Sequence, residues 1–217
     1  GWADEAERNS RMCGRFYTDD DEAQYRAVIA LLYQRNPEEV ALLLRKTGEI
    51  FPTDHVPVLL PDGPSIMQWG FSRFDGKGRV INARSETVLE KPMFRSPLLA
   101  EAGAERAGEL PRSGRCLIPA SSYFEWETRE GKKYKYRLHP QQAGLFTFAG
   151  VYRSEVGAKT PVFVILTAPA AKEISFIHDR MPLILPEERR EDWLASGERA
   201  ARLLEQGTQE IVFEPAV

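Results

Sequence analysis

Phe146-Thr147-Phe148-Ala149-Gly150-Val151-Tyr152 and Val162-Phe163-Val164-Ile165-Leu166-Thr167 are short apolar runs, rich in β-branched and aromatic residues and separated by a polar stretch that holds Gly157 and Pro161. Runs of this length and composition, bounded by turn formers, read as strands. Residues 56–60, 66–71, 116–118 and 134–138 repeat the pattern amid Pro/Gly punctuation, and 210–214 read as a last strand. Helix-forming segments lie between and around them. Acidic residues open 21–33, which carries an apolar stripe through Ala27, Val28, Leu31 and Leu32. Residues 97–110 are rich in Ala, Glu and Leu, Pro186 precedes a helical stretch ending near Leu194, and 198–205 follow Gly197. There is no repeat and no regular strand–helix alternation. The expected fold is therefore α+β: a single domain on a curled, mostly antiparallel, barrel-like sheet with flanking helices.

Size and composition agree with that expectation. The 217 residues suffice for one domain with a sizeable core, and 42% hydrophobic with 28% charged residues describe an ordinary globular chain. No apolar run approaches the roughly 20 residues that cross a bilayer, so no membrane partner is expected. Residues 1–12 contain the acidic run Ala3-Asp4-Glu5-Ala6-Glu7-Arg8 with no apolar stretch. They read as a tag or upstream extension rather than a signal peptide, leaving 13–217 as the domain. Two cysteines and three histidines are few ligands for a metal site, and neither a metal nor a cofactor is expected. A reduced, cytoplasmic setting is the simplest reading of the two cysteines, and without a long apolar heptad the expected state is a monomer. The net charge of −3 argues against a coat for long duplexes but allows a short, localised nucleic-acid contact.

Five places carry residue types suited to chemistry. Cys13 directly follows Met12; cutting between them would give it a free α-amine beside its thiol, a 1,2-aminothiol that condenses with an aldehyde and closes to a thiazolidine. An inert, buried cysteine is the plain alternative. Asn82, Arg84 and Glu86 would share one face if the strand-like Arg79-Val80-Ile81 continued through them, and arginine can grip a phosphate bidentately. A turn with a satisfied Arg–Glu pair explains them as well. Glu125 stands among Tyr123, Phe124 and Trp126, where burial would raise its pKa and suit it to acid–base work. His178, in His178-Asp179-Arg180, suits proton transfer near neutrality; His55 and His139 read as turn or surface residues. The stretch 129–137 is basic with two interleaved tyrosines, either a nucleic-acid contact or a solvated edge strand. Trp69 and Trp126 are candidates for base stacking, although tryptophans pack more often in cores.

Met12-Cys13-Gly14-Arg15-Phe16, Met67-Gln68-Trp69-Gly70, Asn82-Ala83-Arg84-Ser85-Glu86, Arg115-Cys116-Leu117-Ile118-Pro119-Ala120, Tyr123-Phe124-Glu125-Trp126 and His178-Asp179-Arg180-Met181-Pro182 occur in this order. Together they resemble the SRAP (SOS response-associated peptidase) family. The resemblance implies a protein that recognises abasic sites in single-stranded DNA and at single–double-strand junctions. It also implies a covalent cross-link through the N-terminal cysteine that shields the lesion. On this resemblance Cys13 is the nucleophile, Asn82 and Glu125 line its site, and His178 assists proton transfer. Arg15, Trp69, Arg84 and Trp126 would contact DNA, with Thr167 completing a polar wall. Two other readings stay open: a cysteine-type peptidase limited to self-processing before Cys13, and a non-covalent single-stranded DNA-binding domain.

Overall fold

The computed structural model describes residues 13–44, 47–101, 112–207 and 210–217. The chain begins with β1 (Phe16–Thr18), helices α1 (Ala23–Arg35) and α2 (Pro37–Leu43), and β2 (Gly48–Ile50). Strands β3 (His55–Leu60), β4 (Gly63–Trp69), β5 (Phe71–Ser72), β6 (Arg79–Val80) and β7 (Asn82–Arg84) lead to α3 (Pro92–Leu99). Four long strands follow: β8 (Ser113–Ala120), β9 (Ser122–Arg129), β10 (Lys132–Pro140) and β11 (Phe146–Arg153). The last part holds β12 (Val162–Pro169), a 3-10 turn (Lys172–Ile174), β13 (Arg180–Pro182), α4 (Glu187–Ala195), α5 (Gly197–Leu203) and β14 (Ile211–Pro215).

Strands β11, β8, β3, β4 and β12 pair in that order, and β12 pairs back onto β11, closing a ring of hydrogen bonds. Strands β7 and β13 attach to β12, and a second sheet runs β14-β10-β9-β1-β2. Only the β12–β4 and β12–β7 pairs are parallel among the described strands. The ring explains the unbroken apolar runs, because strands buried on both faces have no solvent side to alternate toward. Phe163 and Ile165 of β12, with Cys116 and Ile118 of β8 and Phe146 and Phe148 of β11, point into the ring interior. Val162, Val164 and Leu166, with Leu117 and Val151, face outward against α3, α4 and α5 through Phe94, Leu98, Trp193 and Leu203. Gly150 lets the ring close tightly. A β-carbon there would strike Ile118 and come within 2.9 Å of the Val164 carbonyl oxygen.

The fold class expected from sequence is the one observed, and several elements differ in detail. The 66–71 run is broken at Gly70, whose φ of 117° sits in the region that favours glycine. The buried residues of α1 are Tyr25 and Leu32, with Leu31 half exposed, so the stripe is offset from the one expected. Helix 97–110 is not seen as expected: α3 starts at Pro92 and ends at Leu99, and 102–110 lie outside the described residues. The tag or extension assigned to 1–12 lies outside them too. The basic stretch is an edge strand in part: Lys132, Lys133 and Tyr134 pair with β9 alone, and β14 joins the other side of β10 from Tyr136 onward. No helix among the described residues is long and apolar enough to cross a membrane.

Candidate functional site

The site begins with β1. Phe16 pairs with Ile50 on one side and Tyr123 on the other, placing β1 between β2 and β9. Its ring is fixed in the core against Trp69 at 5.2 Å and Phe148 at 6.2 Å. That anchor holds Cys13 and Gly14 over β9. Cys13 is 1% exposed, has φ +35°, and donates its backbone N–H to Glu125 Oε2 at 3.1 Å. The Trp126 N–H reaches Glu125 Oε1 at 3.3 Å.

Glu125 is 3% exposed. Burial pushes its pKa from 4.5 up to about 7; the two N–H bonds pull it down in part, and Asp179 pushes it up. Burial likewise raises the Cys13 thiol well above 9.0, helped by the Glu125 charge, and holds it protonated. The neighbouring Tyr123 phenol is raised by burial, then by Cys13 and Glu125. A carboxyl poised near neutrality can exchange a proton with an ionisable group brought beside it, while the Cys13 amide N–H only hydrogen-bonds to it.

His178 arrives on the segment after β12. Ile174 and Ile177 bury the base of that segment, and the Ala170 N–H donates to the Asp179 carbonyl at 2.9 Å. Nδ1 accepts the Arg180 N–H at 3.1 Å and also lies 3.1 Å from Asp179 Oδ1. These neighbours ask for opposite protonation states. The fixed backbone donor prevails, because Asp179 is largely exposed and screened. Burial lowers the ring's pKa below 6.5, with Asp179 and the Arg180 N–H acting against it. The ring is thus neutral near pH 7, with its proton on Nε2. Glu125, His178, Trp126, Gly14, Arg15 and Lys133 line one cavity of about 460 Å³.

Around it, Arg15 lies 5.1 Å from the Trp126 ring, 4.7 Å from Phe51 and 3.7 Å from Glu49. Asn82 and Arg84 open instead on a neighbouring groove of about 960 Å³, whose wall includes Arg73, Phe74, Arg79 and Lys91. Strand β7 that carries them pairs parallel with β12, setting Asn82 opposite Ile165 and Arg84 opposite Thr167. Ile81, just before Asn82, belongs to the core cluster of Cys13 and lies 4.0 Å from where a Gly14 β-carbon would stand. The two openings therefore share a wall.

Other expected site residues sit differently. Trp69 is fully buried, donates its indole N–H to the Ile81 carbonyl at 3.1 Å, and stacks on Phe163. It props the strand leading to Asn82 and offers no ring face to a base, so the contact expected of it is corrected to a support. Thr167 is also fully buried, and its hydroxyl accepts Arg180 Nη2 at 3.1 Å. Glu86 does not share the strand face with Asn82 and Arg84. The chain leaves β7 after Arg84, and Glu86 takes Arg180 in a two-pronged pair at 2.5 and 2.8 Å. Arg180 thereby ties β7, β12 and β13 together, a role whose only sequence signal was its place beside His178. His55 starts β3 rather than lying in a loop. Among the described residues no group of His, Cys, Asp and Glu is arranged to hold a metal.

The sequence model described as SOS response associated peptidase (SRAP) matches residues 12–215. The abasic site processing protein YoaM of Bacillus subtilis (strain 168) is 29% identical over 198 residues, covering 84% of this chain and 79% of that protein. The abasic site processing protein YedK of Escherichia coli (strain K12) is 27% identical, covering 90% and 86%. Among solved structures, a protein from Bacteroides thetaiotaomicron superposes with a TM-score of 0.68 at 24% identity, covering 87% of this chain and 88% of that one.

Proposed function

We propose, from the premise that this chain belongs to the SOS response associated peptidase (SRAP) family, that it processes abasic sites in DNA by forming a covalent adduct through Cys13. The observation that carries this reading is the 3.1 Å contact between the Cys13 nitrogen and Glu125, a carboxyl raised to about 7. The reaction requires scission after Met12, because in the uncut chain that nitrogen is an amide. Once free, the amine has an ordinary pKa of about 7.7–8.0, so a useful neutral fraction exists near pH 7.

An abasic sugar is mostly a closed hemiacetal. His178 hands its Nε2 proton to O4′ while Glu125, as carboxylate, takes one from the C1′ hydroxyl, opening the ring to the aldehyde, and water reprotonates the imidazole. The Cys13 amine adds to C1′, and Glu125 moves its two protons in turn from nitrogen to the C1′ oxygen, which leaves as water and gives the imine. The Cys13 Sγ then adds to the imine carbon, its proton passing to nitrogen, and the thiazolidine closes. The balance is aldehyde plus aminothiol giving thiazolidine plus one water. The raised thiol does not block the last step, because its proton is the one the nitrogen receives. Asn82 and Arg84, with Arg15 and Trp126, guide a single strand or single–double-strand junction across the two openings. A missing base spares the cost of flipping one out. The protein acts as a monomer in the cytoplasm, on damaged nucleoid DNA.

A peptidase for exogenous peptides fits less well. It needs a thiolate beside a histidine, whereas burial holds the Cys13 thiol protonated and its nitrogen meets a carboxylate.

The test uses protein cut to begin at Cys13, verified by intact mass, mixed with single-stranded DNA bearing one abasic site. The expected product is one denaturation-resistant adduct per chain, lighter by one water than its parts, and none from uncut protein. Cys13→Ala should give only an imine that needs borohydride to be trapped. A cut protein that forms no stable adduct would overturn the proposal.

A further inference from the structure

Resting on the acid–base roles just given, we propose that Tyr136, Phe176 and Phe213 form a three-ring clamp that sets the separation of Glu125 and His178, making β14 a positioning element for the reaction. Tyr136 stands directly opposite Glu125 in the β9–β10 ladder. Side chains so paired share a face with β-carbons about 4.5–5.5 Å apart. Its hydroxyl donates to Glu127 Oε2 at 3.0 Å, two residues along the same face, which pins the ring beside Glu125.

The ring edge of Tyr136 then meets Phe176 at 5.8 Å and an 88° interplanar angle. Phe176 is two residues before His178. Phe213 of β14 completes the triangle, 5.1 Å from Phe176 and 6.1 Å from Tyr136. Edge-to-face geometry at these separations is the favoured arrangement for aromatic pairs. The clamp thus joins the strand that faces one proton-transfer group to the segment that bears the other. It does so from outside the core, while Ile174 and Ile177 hold the same segment from within.

Phe176 and Phe213 are 48% and 39% exposed and Tyr136 packs against the core cluster, so the three rings sit at the rim of the core rather than within it. The groups that face His178 are Asp179 and Arg180 on its own segment, Glu125 of β9, Lys133 of β10, and Arg15, just before β1.

The test compares adduct formation by cut protein on abasic single-stranded DNA, with Phe176→Ala and Phe213→Ala each made alone and with His178→Ala. Each single change should slow the reaction about 10- to 100-fold, the scale on which small misplacement of a reacting group lowers rates. Added to His178→Ala, neither should slow it further, and Phe176→Tyr should restore the rate. Equal slowing in both backgrounds, or weaker binding to undamaged single strands, would overturn the clamp in favour of a base-stacking surface. An unchanged rate would overturn it outright. The chain has three histidines, so the His178 imidazole can also be titrated by NMR in any variant. Phe176→Ala should raise its midpoint toward 6.5 by opening the ring to water; an unmoved midpoint counts against the clamp. This readout decides the clamp even if the parent makes no adduct, an outcome that would refute the proposed function instead.

Discussion

Replacing Glu125 by Gln should make the protein less sensitive to alkaline pH. Glu125 is buried and its pKa is raised from 4.5 to about 7. Between those values the folded state holds a proton that the unfolded chain has released. Stability therefore falls as pH climbs from 4.5 and levels off above 7. Each pH unit in that window is worth about 1.4 kcal/mol, so ionising Glu125 withholds roughly 3 kcal/mol from the fold at pH 8. Glutamine cannot ionise, and its amide oxygen can still accept the Cys13 N–H. Its own NH2 group is buried at a cost of about 1–3 kcal/mol, but that cost is the same at every pH. The measurement is urea unfolding of parent and Glu125→Gln from pH 4.5 to 8, on the uncut chain. The variant-minus-parent stability should rise by about 3 kcal/mol across that range, whatever its absolute sign. A flat difference would refute the assignment of a raised carboxyl to Glu125.

Two further substitutions probe the frame. Arg180→Met removes the guanidinium that grips Glu86 and Thr167; with Glu86 partly exposed, the loss should be about 1–2 kcal/mol, seen as a lower urea midpoint with unchanged slope. Gly150→Ala drives a methyl group against Ile118 and the Val164 carbonyl and should cost about 1–3 kcal/mol in the same assay, a neutral result showing that the ring has slack.

What the sequence made legible followed from how far each signal reaches along the chain. β8, β11 and β12 announce themselves because burial on both faces leaves an apolar run with no gaps. β1, β2, β7 and β13 have three residues each, too short for any periodicity to form, and β1, β2 and β7 also pair with strands at least 30 residues away. Helix α3 is hidden by Pro92 and Pro97, residues that a local reading takes as breakers. In α1 the core-facing ring is Tyr25, whose polar tip disguised the buried stripe. Cys13, Glu125 and His178 were visible by type, and burial of Glu125 among aromatics was expected from its neighbours. Their grouping rested on the resemblance, since the Cys13–Glu125 bond spans 112 positions. Trp69 and Thr167 are expected at the DNA contact on the resemblance, whereas the structure buries both completely.

The contact between the Cys13 nitrogen and Glu125 has a consequence for how the nucleophile would be kept ready. In a chain that starts at Cys13, an amine of ordinary pKa about 7.7–8.0 stands against a carboxyl at about 7. Groups so close and so nearly matched titrate as a pair rather than singly. Ammonium with carboxylate, and amine with carboxylic acid, have the same net charge and differ only in which atom holds one proton. Their attraction in the first form widens the pH range over which the pair keeps that single proton. Within that range the proton can leave nitrogen without entering solvent, and the fraction of free amine is an internal tautomeric ratio. The lone pair that must reach the aldehyde is then supplied by the protein's own geometry and is buffered against the surrounding pH.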